Sequence, residues 1–124
     1  MDTEKPYTIE MEDRGEYLYV LVGGEKLTAD IAVGYWHEIS EKCVEMGCHK
    51  VLIEKEFKET VNVDELFRMA ELLADVLPNG RIAFLDRYDH RDINELGKRL
   101  ARNRNVMMQI FSDVDEAARW LHAN

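Results

Sequence analysis

The feature that most constrains this chain is a regular alternation of short apolar runs with longer segments in which apolar residues recur every three or four positions. The short runs read as strands and the longer segments as helices. Tyr7, Ile9 and Met11 alternate with Thr8, Glu10 and Glu12, the pattern of a half-buried strand, and Asp13 to Gly15 make a turn. Tyr17 to Val22 is unbroken and apolar, which suits a strand covered on both faces and paired antiparallel with the first. Gly23 and Gly24 are expected to stop it in a turn. Thr28 then caps a helix with Ile31, Tyr35, Ile39, Cys43 and Met46 on one stripe and Gly47 at its end.

The same unit repeats. Lys50 to Lys55 reads as a strand, and Asn62 or Thr60 caps a helix carrying Leu66, Met69, Ala70, Leu73 and Leu77, closed by Pro78-Asn79-Gly80. Ile82 to Leu85 is the next strand, Asp86 to Asp92 a charged loop, and Ile93, Leu96 and Leu100 mark a third helix. Val106 to Phe111 forms the last strand, and Ser112 with Asp115 resembles a capping box opening a helix that turns Val114, Ala117, Trp120 and Leu121 inward. The order is ββαβαβαβα. Strand-helix-strand units cross over right-handedly, so the expected fold is α/β: a mostly parallel five-stranded sheet, an antiparallel first strand and four main helices. Burial should be greatest at Val20, Leu21, Leu52, Ile53, Phe84 and Ile110. At 124 residues the chain suits one domain over 1–124, with the first six residues frayed.

Charge narrows the function. Sixteen basic residues against 25 acidic ones give a formal net charge of -9, which repels phosphate backbones and argues against nucleic acid or an anionic membrane surface as partner. No apolar run approaches the roughly 20 residues of a membrane span. Met1 to Tyr7 lacks the basic-then-apolar order of a signal peptide, so a cytoplasmic location is expected. Cys43 and Cys48 match neither a C-x-x-C pair nor a zinc spacing and read as structural thiols. His37, His49 and His122 are scattered, so neither a metal nor another cofactor is expected, and no catalytic residue is assigned.

The densest polar cluster is the loop of Asp86, Arg87, Tyr88, Asp89, His90, Arg91 and Asp92, which follows a strand, where open α/β sheets place their ligands. Asp86, Tyr88, Asp89, His90 and Arg91 are therefore candidates for a ligand or partner surface. His90-Arg91-Asp92 spells a protein-kinase tripeptide, but the other kinase elements are missing from the chain. Tyr35 and Trp36, with Ile39, Phe67 and Met69, exceed what one narrow stripe needs and are candidates for an apolar ligand pocket or a dimer contact. Between Arg81 and Asn105 seven bases meet four acids, while the rest of the chain is strongly acidic, an asymmetry that suits a protein partner or a homo-oligomer.

Gly15-Glu16-Tyr17-Leu18-Tyr19-Val20, Arg81-Ile82-Ala83-Phe84-Leu85, Ala101-Arg102-Asn103-Arg104 and above all Phe111-Ser112-Asp113-Val114-Asp115-Glu116-Ala117-Ala118-Arg119-Trp120-Leu121 carry a resemblance that covers about Tyr7 to Leu121. In these stretches the chain resembles the SpoIIAA-like, STAS-related domains. The resemblance implies a small protein-interaction or ligand-binding module. The leading expectation is a non-enzymatic protein-interaction or regulatory module, and the alternative is a binder of a small apolar or lipid-like ligand beside the first two helices. In STAS-type anti-sigma antagonists the loop after the third strand leads into a helix beginning Asp-Ser-x-Gly, whose Ser is phosphorylated. The matching stretch here, Thr60-Val61-Asn62-Val63-Asp64-Glu65, has neither Ser nor Gly, and Thr60 is its one hydroxyl. Thr60, Asn62 and Asp64 are the positions that resemblance nominates, in a module that works without phosphorylation.

Overall fold

The computed structural model describes residues 6–123. Residues 1–5, most of the segment expected to fray, lie outside the described residues. The elements are β1 (Thr8–Asp13), β2 (Leu18–Lys26), α1 (Ala29–Met46), β3 (Lys50–Glu59), α2 (Val63–Val76), β4 (Arg81–Asp86), α3 (Arg91–Arg102), β5 (Met107–Ile110) and α4 (Val114–Ala123). They form one sheet in the order β1-β2-β3-β4-β5, antiparallel between β1 and β2 and parallel elsewhere. This is the expected α/β arrangement.

Strand order follows chain order, so every crossover advances in the same direction. Right-handed crossovers then place their helices on the same face. On that face Val20, Val22, Val51, Ile53, Ile82 and Phe84 pack against α1, α2 and α3. The opposite face is covered by α4, which buries Ala117 and Leu121 against Tyr17, Leu52, Ala83 and Leu85. A single ten-residue helix spans only part of a five-stranded sheet, so Leu21 and Ile110 remain half-buried, contrary to expectation, whereas Val20, Leu52, Ile53 and Phe84 are buried.

Helix ends follow the capping rules closely. Thr28 accepts a hydrogen bond from the Ile31 amide at the start of α1, and Gly47 closes that helix with φ +68°, a left-handed conformation in which a Cβ is costly. Asn62, not Thr60, caps α2 in a reciprocal capping box with Glu65. At α4 the cap falls one residue later than expected. Asp113 takes the role assigned to Ser112, its carboxylate accepting from the Asp115 amide at 3.4 Å and its carbonyl from the Ala117 amide at 3.1 Å.

Gly23 and Gly24 do not end β2. The strand runs on to Lys26 because β3 runs on to Glu59 beside it, with Phe57 buried. The glycines serve close approach: a Cβ on Gly23 would lie 2.8 Å from the Glu56 carbonyl oxygen. Gly23→Ala should therefore destabilise the fold by about 1–3 kcal/mol through overpacking against backbone. Gly97→Ala, whose Cβ would meet only the Leu66 side chain, no closer than 3.4 Å, inside α3, should instead be neutral or stabilising by about 0.5–1 kcal/mol. Denaturant unfolding of the two variants beside the parent chain measures both.

Candidate functional site

A cleft of about 470 Å³ opens at the carboxyl ends of β3, β4 and β5. The unreversed strand order gives this sheet no topological switch point, so the cleft is built by loops. The β4–α3 loop closes one side, and Phe111 to Val114, entering α4, close the other. Asp86, Tyr88, Asp89, His90 and Arg91 all line it, together with Glu54, Lys55, Glu56, Arg87, Asn94 and Glu95.

Asp86 organises the loop. Its Oδ1 accepts from the Tyr88 amide at 3.0 Å, while Oδ2 lies 2.9 Å from His90 Nδ1 and accepts from Asn94 Nδ2 at 2.9 Å. His90 Nε2 lies 3.1 Å from the Lys58 carbonyl oxygen. Both ring nitrogens thus face acceptors, so neither is directed at the cleft as a free base. His90 precedes α3 without capping it by its side chain, which instead ties the end of β3 to the end of β4. Arg87 adds a looser link, its Nη1 standing 3.5 Å from Glu56 Oε2.

The other nominated residues are placed differently. Thr60 is half-buried beside Asp89, His90 and Arg91 in an adjoining depression and also lines a separate apolar cavity. Asn62 and Asp64 are exposed in the first turn of α2 and line neither space. Tyr35 is no surface residue: it is fully buried among Tyr7, Trp36 and Phe57, and burial holds its hydroxyl far above the usual tyrosine range. Trp36 is buried too, but lines the apolar cavity. Phe67 is the member of that aromatic group left facing solvent.

Sequence reasoning missed Lys55. Its strand neighbours on the same face, Ile53 and Phe57, are core residues, so the period of two already aims Lys55 inward. It stands opposite Asp86 in the β3–β4 register, yet among the described residues no hydrogen bond or ion pair holds its amine, because Asp86 is taken up by its three donors. Its Nζ stands over the Phe84 ring, 5.1 Å from the centroid. The residue is half-buried and keeps some accessible surface. Burial pushes the amine down to about 8, partly offset by the Asp86 charge.

A lysine pKa lowered on folding means that the unfolded chain binds more protons between about 8 and 10.5, so this group's contribution to stability improves as pH rises through that interval. Buried Cys43, pushed up to about 12 by desolvation and by Cys48, acts in the opposite sense, as do Tyr7 and Tyr19, both raised to about 12 by burial and by hydrogen bonds to Glu38 and Glu54. Comparison with Lys55→Met isolates the lysine. The variant should be more stable than the parent by about 1–3 kcal/mol at pH 7, with the difference shrinking toward zero by about pH 10.5. Urea unfolding across this range measures it.

The chain matches no protein-family model and no curated protein sequence. It is similar to a solved structure, that of an uncharacterized protein of the DUF3478 family from Shewanella loihica PV-4, determined at 2.25 Å and described as having a SpoIIAA-like fold. The two are 18% identical, the match covers 98% of each chain, and the TM-score is 0.52. With the five-stranded mixed sheet and four helices already described, the chain has a SpoIIAA-like fold.

Proposed function

We propose that this chain is a non-enzymatic protein-interaction or regulatory module whose partner surface is the strand-end cleft. The observation that carries the reading is the convergence of exposed charges of both signs, Arg87, Asp89, Arg91 and Glu95 among them, on one open cleft. A polar, two-signed surface suits recognition of a protein segment, because complementary charge fixes register and excludes wrong partners. The groups most suited to proton transfer, Asp86 and His90, are engaged in holding the loop. No helix is long and apolar enough to cross a membrane among the described residues.

The lipid-like alternative finds less support. The apolar cavity measures about 50 Å³, far below the roughly 300 Å³ at which drug-sized ligand sites begin. A phosphate-free mode of action has better support. The start of α2 already carries a capping box: Asn62 and Glu65 satisfy each other's amides, and Glu65 Oε2 also accepts from the Ala29 amide at 3.1 Å. Those amide bonds also hold the Glu65 carboxyl below its usual range, so permanent negative charge occupies the place a phosphate would take.

The test uses tagged protein recovered from its own cells. The parent chain should recover a defined protein partner, a second copy included, and Arg87→Glu with Arg91→Glu should reduce that recovery at least about tenfold. Both side chains are exposed, so stability should change by less than about 0.5 kcal/mol. The intact mass of the same preparation should show no phosphate. Recovery unaffected by the charge reversal, or stoichiometric phosphate on Thr60, would overturn the reading.

A further inference from the structure

The apolar cavity lies between the sheet and helices α2 and α3, lined by Ile53, Leu66, Met69, Ile82, Phe84 and Met108 among others. Lys55 is the one titratable side chain among its lining residues, and it and Asn94 border both this cavity and the polar cleft. Thr60 and Asn94 add polar groups, and the partly exposed members of the lining are these two with Lys55, Ile93, Gly97 and Met108, so the cavity opens to the surface on the side where Lys55 lies. An ammonium in such a place is unfavourable without a partner, and Asp86, the one carboxylate in register with it, is already bonded to the Tyr88 amide, His90 and Asn94. A half-buried amine without an ion-pair partner, on a residue that borders an apolar cavity, is an arrangement by which proteins make lysine a nucleophile.

We infer that Lys55 is a covalent binding site for a small aldehyde, which enters the apolar cavity and condenses with the lysine to an imine. The lone pair of neutral Nζ attacks the carbonyl carbon, forming a C–N bond while the carbonyl oxygen gains a proton from nitrogen. The resulting carbinolamine loses that oxygen as water with the second amine proton, and the C=N bond forms. One amine and one aldehyde yield one imine and one water, with no change of oxidation state. Cavity size selects an aldehyde of only a few heavy atoms, since about 50 Å³ holds roughly four water molecules. The aliphatic lining selects an uncharged, apolar tail. This inference is independent of the partner surface proposed for the cleft.

Reductive trapping tests it. The full chain is incubated with propanal and cyanoborohydride at pH 7.4, and peptide mass mapping follows propylation at each lysine over time. Lys55 should be modified at least about tenfold faster than exposed Lys26 and Lys58, since each unit by which an amine pKa falls raises its neutral fraction about tenfold. Its rate should level off above about pH 8, whereas the rates at Lys26 and Lys58 keep rising. Diphenylacetaldehyde, too large for the cavity, should lose the preference for Lys55. Equal rates at all three lysines, no modification of Lys55, or a preference that survives the bulky aldehyde would each overturn the inference. Every readout comes from the unmodified chain, so no variant has to fold for the result to count.

Discussion

One carboxylate sets the character of the strand-end surface. Asp86 is the last residue of β4, and its two oxygens take three donors, from Tyr88, His90 and Asn94. Hydrogen bonds to a charged group contribute about 1.5–3 kcal/mol each, more than neutral ones. Here they bend the chain back into α3 and, through His90 and the Lys58 carbonyl, pin β3 to the same junction. The same saturation has a second effect. Lys55, opposite Asp86 in the register, is left without an ion-pair partner, and its charged form bears the cost of burial. A hydrogen-bonded polar loop and an amine without an ion-pair partner are two results of one bonding arrangement.

Topology decides where that arrangement can sit. With crossovers that all advance in one direction, α1, α2 and α3 occupy one face of the sheet and α4 alone guards the other. Without a reversal of strand order no crevice opens between neighbouring strands. A ligand or partner surface must come from loops at the strand ends, where β3 extends to Glu59 and β4 stops at Asp86. Partial cover by α4 also leaves Tyr19, Leu21 and Glu54 half-exposed on the second face, where the Tyr19 hydroxyl donates to Glu54 and Arg14 lies 4.2 Å above the Tyr19 ring.

Most of the architecture was legible because it rests on local periodicity. Thr28, Asn62 and Gly47 announce helix ends through hydrogen-bond chemistry that acts within a few residues. What escaped depends on distant neighbours. Gly23 reads as a turn until the carbonyl of Glu56 is known to lie against it. Leu21 and Ile110 read as core in apolar runs, but their exposure is set by the reach of a helix far along the chain. The charged loop was legible as a cluster, though not the bonds that commit Asp86 and His90 to structure. Lys55 was legible in principle from the inward period of β3, but its charge outweighed its position in a reading by composition.

The claim on which this account turns is that the Asp86 carboxylate, and no wider feature of the fold, orders the β4–α3 junction. Amide hydrogen exchange in the parent chain and in Asp86→Ala tests it most directly. The account predicts that the variant loses protection at Tyr88 and through the first turn of α3 up to Asn94, while Val51 to Ile53 and Ile82 to Phe84 in the central strands stay as protected as before. Unchanged protection at Tyr88 and Asn94, or a loss spread evenly over the sheet, would contradict it.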